Sequence, residues 1–128
     1  MPSEPEWLPV EAVIEINHAA VAVTGERHLV RDGGLLESAL ARPQNALAYG
    51  DGDMVAFAVM AGIARAHAFE QGNKRTAFIA MVQFLNANGL DVAIEDSTNW
   101  ADLVISLIEH RLMEEDFARA LRPHVTAR

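Results

Sequence analysis

The chain has no cysteine, a single lysine and no apolar run of membrane-spanning length among its 128 residues. Without thiols it has neither a disulfide framework nor a thiolate metal site. The longest apolar run, Val55 to Ala64, includes Gly62 and falls well short of the roughly 18 residues that a bilayer-spanning helix needs. The opening Met1-Pro2-Ser3-Glu4-Pro5-Glu6 lacks the basic and apolar regions of a secretory leader. A protein with these absences is expected in the reducing cytoplasm, with no membrane partner. Cations are scarce as well. Ten Lys and Arg against 18 Asp and Glu leave a formal charge of −8, whereas a phosphate backbone is bound through clustered Lys and Arg, so no direct nucleic-acid partner is expected.

What the chain does have is core. Apolar residues make up 51% and charged residues 22%, which excludes a disordered protein, and the length suits one domain over 1–128 with residues 1–8 as a polar, proline-containing tail. Pro9 suits a first helical turn, and Val10, Val13, Ile14, Ile16, Ala20 and Val23 form a stripe that Gly25 can end. Asn17 and His18 are polar on this helix; His18, His28, His110 and His124 read as surface or satisfied core groups. Glu26 to Gly34 reads as a loop or short hairpin. A short helix, Leu35 to Ala41, is expected to stop before Pro43, with a further turn or two to Tyr49. Gly50 to Asp53 form a turn whose Asp53 can cap the next helix, and their acids lack calcium-loop spacing. Two helices, about Met54 to Phe69 and Asn73 to Asn88, make a central hairpin closed by Gly89. Asp91 to Ile94 reads as extended, about Thr98 to Leu112 as a helix capped by Asp96 or Ser97, and Glu114 to Leu121 as a last helix before Pro123. The fold class is all-α, a compact helical bundle with a buried central hairpin.

Chemistry concentrates in the joint of that hairpin. Met54 to Phe69 offers only Arg65 and His67 as polar side chains, and Ala77 to Leu85 only Gln83; helices apolar on nearly all sides are buried ones. Between them, after the turn Gly72-Asn73, the second helix opens on Lys74 and Arg75, cations where the macrodipole favours anions by roughly 0.3–1 kcal/mol each. A solvated helix start is the plain reading. The apolar flanks and the nearby His67 favour another: free N–H groups and two cations at a helix N-terminus form a receptor for phosphate. His67, beside the turn, is of the residue type that most often serves as general base for an attacking hydroxyl. Phe69 reads as a packing anchor under the loop.

His67-x-Phe69-x-x-Gly72-Asn73-Lys74-Arg75-Thr76-Ala77 resembles the signature of the Fic/Doc superfamily in its Doc (death-on-curing) form, where Lys takes the place of the second glycine of Gly-Asn-Gly-Arg. Arg31-Asp32-Gly33-Gly34-Leu35-Leu36-Glu37-Ser38-Ala39-Leu40-Ala41-Arg42-Pro43-Gln44 is similar to the segment that precedes the signature. Together the resemblance spans about Val10 to Gly89. It implies a bundle of the Fic/Doc type with a small flap, carrying Arg31, Asp32 and Arg42, that holds a target segment beside the active site. It makes His67 the base, with Gly72, Asn73, Lys74 and Arg75 on the nucleotide phosphates.

Typical Fic proteins transfer a nucleotidyl group, whereas Doc transfers the γ-phosphate of ATP to a threonine of elongation factor Tu. A long Lys74 side chain crowding the phosphate site favours the reversed nucleotide placement of Doc. The expectation is therefore a toxin kinase that arrests translation by modifying a hydroxyl of an elongation factor Tu-like target, with nucleotidyl (AMP) transfer as the alternative. Inhibitory helices of Fic proteins carry Ser/Thr-x-x-x-Glu-Gly/Asn. No Ser or Thr here has Glu four residues on, so restraint is expected from a Phd-like antitoxin folding onto the bundle. One departure bears on activity. Where the family has Asp or Glu to bind Mg²⁺ this chain has Gln71, a neutral and weaker oxygen donor, with Glu70 beside it as the substitute. A catalytically silent nucleotide- or partner-binding member is the third reading.

Overall fold

The computed structural model describes residues 5–48, 55–92, 106, 109 and 114–127. Helix α1, Val10–Thr24, starts on Pro9 and buries Val13, Ile16, Asn17, Ala20 and Val21, one stripe at helical spacing, whereas Val23, expected on that stripe, is 86% exposed because Val21 takes the inward phase of the last turn. It ends as expected at Gly25, whose φ of 72° lets the chain turn back. The Gly25 N–H bonds Ala22 O at 3.3 Å and the Glu26 N–H bonds Val21 O at 3.0 Å, a closure that sets where Glu26 lies.

Helix α2, Gly33–Ala48, departs from expectation by running straight through Pro43. Its start is capped by Asp32, whose Oδ1 accepts from the Leu35 N–H at 3.0 Å. Proline removes the N–H that would have bonded the carbonyl four residues earlier, that of Ala39. That carbonyl instead faces helix α3, Val55–Ala66, where Gly62 approaches so closely that a Cβ on it would lie 2.9 Å from Ala39 O. Pro43 is itself buried, and tertiary packing of α2 on α3 outweighs the lost helical bond.

Helix α3 is buried at every position from Val55 to Ala64, as its composition predicts. Helix α4, Asn73–Ala87, is nearly as apolar in its middle but buries only a stripe: Thr76, Ala77, Ala80, Met81, Phe84 and Leu85. Its other side is partly open, with Ile79 38% exposed. The hairpin α3–α4 has α2 against α3 and α1 against α4. Phe69, Phe84, Leu36, Met60, Ile63 and Met81 are the largest of the fully enclosed side chains in the core so formed, and Phe57 is buried beside them.

Beyond Gly89 the chain adds what the sequence reading only half anticipated. The extended piece is strand β1, Leu90–Val92, and it pairs antiparallel with β2, Val125–Ala127, so that Asp91 faces Thr126. Between them helix α5, Glu114–Leu121, packs against α3, and a 3-10 turn, Arg122–His124, carries the proline. The N-terminal segment is tied to the far end of α4: Trp7 stacks on Phe84 at 5.7 Å, and the Asn88 side chain bonds both Glu6 N and Glu6 O. The turn Gly50 to Asp53 and most of the helix expected over about 98–112 lie outside the described residues.

Candidate functional site

The joint between α3 and α4 is a loop held on three sides. Helix α3 stops at Ala66 because His67 takes a left-handed conformation, φ 50°, uncommon for a non-glycine residue though less so for His, and a conformation that ends helices. His67 is exposed, while the next two residues, Ala68 and Phe69, are buried. Phe69 is fully enclosed and is the anchor that the sequence suggested.

Along one side runs the segment 29–32. The Arg31 and Asp32 N–H groups both reach Ala68 O, at 2.6 and 3.1 Å, the Glu70 N–H reaches Leu29 O at 2.9 Å, and Val30 bridges Phe69 as an isolated antiparallel pair. The first part of the expected flap, Glu26 to Gly34, is thus tied to the loop by backbone bonds of residues 29–32. Of the three residues assigned to it, Arg31 is exposed beside Ala68. Asp32 spends its carboxylate on the cap of α2, and Arg42 stands on α2 itself, ten residues beyond that cap.

The loop closes on itself through Asn73. Its Oδ1 accepts from the Phe69 N–H at 3.1 Å and its Nδ2 donates to Phe69 O at 2.9 Å, so this side chain shapes the loop from within. What Asn73 can offer a ligand is its backbone N–H. The first turn of α4 begins at Gly72 in the left-handed region, with the Thr76 N–H on Gly72 O at 2.9 Å. The N–H groups of Asn73, Lys74 and Arg75 precede any intrahelical acceptor.

The two cations differ in state. Lys74 is exposed and has no hydrogen-bond or ionic partner among the described residues. Arg75 turns back onto the end of α1: its Nη1 donates to Ala20 O at 3.1 Å and Thr24 Oγ1 at 3.2 Å, and its Nη2 pairs with Glu26. The Thr24 hydroxyl also donates to Glu26, and these two hydrogen bonds, Thr24 first and Arg75 second, hold the Glu26 carboxyl below the ordinary carboxylate range. A phosphate seeking Arg75 would compete with Glu26, whereas Lys74 stands ready.

The donors for a Mg²⁺ ion are few. Among the described residues no group of three or more His, Asp or Glu converges. Gln71 is exposed and offers an amide oxygen; Glu70 is exposed, with Oε2 3.9 Å from Arg27 Nε, a solvent-screened contact of little strength. Mg²⁺ is usually held by one or two carboxylates together with substrate phosphates and water. One carboxylate and one amide fit an ion that arrives on nucleotide phosphates and is not gripped by the protein alone.

Sequence reasoning missed the seat of the loop. Asn17, buried on α1, donates through Nδ2 to Gln71 O at 2.8 Å and to Thr76 Oγ1 at 3.0 Å, and its Oδ1 is 2.9 Å from His28 Nδ1. His28 in turn stacks on His18 with centroids 4.7 Å apart and leans on Phe69 at 6.4 Å. The available signal was phase: Asn17 lies on the stripe of Val13, Ile16 and Ala20, where a polar side chain must find partners. No helix among the described residues is long and apolar enough to cross a membrane.

Residues 7–85 match the Fic/DOC family model. The chain is similar to the "Toxin Doc" of Mycolicibacterium smegmatis, 37% identical over 111 residues that make up 83% of this chain and 82% of that protein. It is also similar to the "Protein kinase doc" of Escherichia phage P1, 30% identical over 115 residues, 88% of this chain and 90% of that one.

Proposed function

Because the chain belongs to the Fic/Doc family, and to its Doc type, we propose that it is a Doc-like toxin that transfers the γ-phosphate of ATP to a hydroxyl side chain of a translation factor of the elongation factor Tu kind. The observation that carries this reading is the juxtaposition in one hydrogen-bonded loop of an exposed His67 and an unengaged Lys74 at the open start of α4.

In this mechanism an imidazole nitrogen of His67 takes the proton of the target hydroxyl as its oxygen attacks the γ-phosphorus. The bond from that phosphorus to the β–γ bridging oxygen breaks and ADP leaves. Phosphoryl transfer is helped chiefly by positioning and by charge placed against the phosphate oxygens. Lys74 and the N–H groups of Gly72, Asn73, Lys74 and Arg75 supply that here, and Arg75 adds its charge where phosphate displaces Glu26. Mg²⁺ bound with the nucleotide would be held by Glu70 or the Gln71 amide oxygen and would neutralise phosphate charge. The flap segment 29–32, with Arg31, borders the place where a target segment would lie. Its action on translation sets the protein in the cytoplasm, under the restraint of a Phd-like antitoxin.

The test is incubation with elongation factor Tu, ATP and Mg²⁺ followed by intact mass of the target. Added phosphate supports the reading; added AMP replaces it with nucleotidyl transfer; no added mass replaces it with a catalytically silent binder.

A further inference from the structure

We propose that Asn17 is a positioning residue for the phosphate loop, aiming the Gly72 N–H at the bound phosphate. The inference rests on the proposed phosphate binding at this loop, and its catalytic arm on phosphotransfer as well. The hydrogen-bond chemistry around Asn17 allows one assignment. Gln71 O can only accept, so the atom facing it at 2.8 Å is the amide nitrogen, and the second hydrogen of that nitrogen goes to Thr76 Oγ1 at 3.0 Å. The oxygen then faces His28 at 2.9 Å and must receive a proton from Nδ1. Both amide hydrogens and the carbonyl are engaged in a site that is fully enclosed.

The consequence lies in the next peptide. A trans peptide unit is planar, with C=O and N–H pointing in opposite directions. Asn17 draws Gln71 O inward toward α1, and that turns the Gly72 N–H the opposite way, away from α1. Gly72 has no hydrogen-bond partner for this group among the described residues. A separate observation shows that the loop is seated directly on this part of α1. A Cβ at Gly72 would lie 2.9 Å from Val21 Cγ1 and 3.2 Å from Asn17 Nδ2. Asp at position 17 keeps the shape but sets an acceptor against Gln71 O, and Ala removes the bond without adding charge. Each change releases the same peptide plane.

The experiment compares wild type, Asn17→Ala, Asn17→Asp and Thr76→Val by backbone amide spectroscopy with and without Mg²⁺-ATP, by amide exchange, and by transfer kinetics. In wild type ATP shifts the Gly72 amide resonance. In both Asn17 variants that shift is lost and exchange at residues 71–74 accelerates by more than about tenfold, while exchange in α3 stays as in wild type. The kcat falls by roughly a hundredfold, the order that a small misplacement of reacting groups costs, with the KM for the protein target unchanged. Thr76→Val, which leaves the Gln71 bond in place, loosens residues 71–74 to an intermediate degree. The proposal is overturned if loop exchange and the Gly72 shift match wild type, or if exchange accelerates equally in α3, as for an ordinary core residue. Should both Asn17 variants fail to fold, wild-type loop exchange in Thr76→Val overturns it. A wild type that transfers nothing would refute the phosphotransfer reading, and the spectroscopic arm would still decide the role of Asn17.

Discussion

Replacing Gly72 with alanine tests how tightly the loop is seated, and a second glycine supplies the control. Gly72 has φ 77°, a left-handed backbone that costs an L-residue roughly 1–2 kcal/mol. Gly25, at the end of α1, has nearly the same φ of 72°, yet a Cβ there would meet nothing within 4 Å. Gly25→Ala should therefore report backbone strain alone, about 1–2 kcal/mol. At Gly72 the new methyl group would sit 2.9 Å from Val21 Cγ1 and 3.2 Å from Asn17 Nδ2, both on fully or nearly fully buried residues of α1. Neither neighbour can swing into solvent, and overpacking of this kind adds about 1–3 kcal/mol. The total for Gly72→Ala is then about 2–5 kcal/mol, a large share of the roughly 5–15 kcal/mol that holds a domain together. For a chain of this length that is a fall in Tm on the order of 10 °C or more. Urea unfolding of the three proteins gives the comparison directly, provided that the slope with denaturant stays constant. If Gly72→Ala costs no more than Gly25→Ala, the loop is not pressed against α1 and the reasoning about its seat fails.

The other expectations concern the charged and titrating groups. His67→Gly removes a left-handed non-glycine residue, so stability should stay within about 1 kcal/mol of wild type while phosphotransfer is abolished; transfer at the parental rate would show that His67 is not the base. Glu26 has its folded pKa lowered below the reference 4.5, chiefly by the Thr24 hydroxyl and then by Arg75, so its stabilisation is complete above that value and is lost as pH falls through the lower folded one. The stability gap between wild type and Glu26→Gln should accordingly be open at neutral pH and close in strong acid, and a gap that does not depend on pH would refute the linkage. Gln71→Asp should lower the Mg²⁺ concentration needed for half-maximal transfer, because it adds a carboxylate beside the phosphates, and Glu70→Ala should raise it. Transfer unaffected by both changes would remove these two residues from the metal site.

Much of the fold was legible because its signals are local. Most of the stripe of α1, though not Val23, its stop at Gly25, the burial of α3 from Val55 to Ala64, the start of α4 at Asn73 and the short helix Glu114–Leu121 each follow from periodicity or from one turn residue, read over a few positions. The His67 to Ala77 signature was equally local, since a loop between two helices puts its residues together whatever the rest of the chain does. Pro43 misled because a local rule was overridden by distant packing: Gly62 of α3 lies against the Ala39 carbonyl that the proline left without its helical donor. The pairing of β1 with β2 joins residues 33 positions apart at its nearest register, Val92 with Val125 being the closest pair, a match that no short window contains, though the extended piece itself did announce its strand.

By itself, then, the sequence determined the family, the helical framework and the identity of the groups gathered at the α3–α4 joint. Tertiary structure decided what each of those groups is available to do. It spent the Asn73 amide on Phe69, turned Arg75 onto Ala20, Thr24 and Glu26, left Lys74 open to solvent, and supplied Asn17 from 54 residues away to hold Gln71. The physical reason is that side-chain type fixes which bonds a residue can make, while only the folded chain determines which donors and acceptors lie within reach and which have already been satisfied.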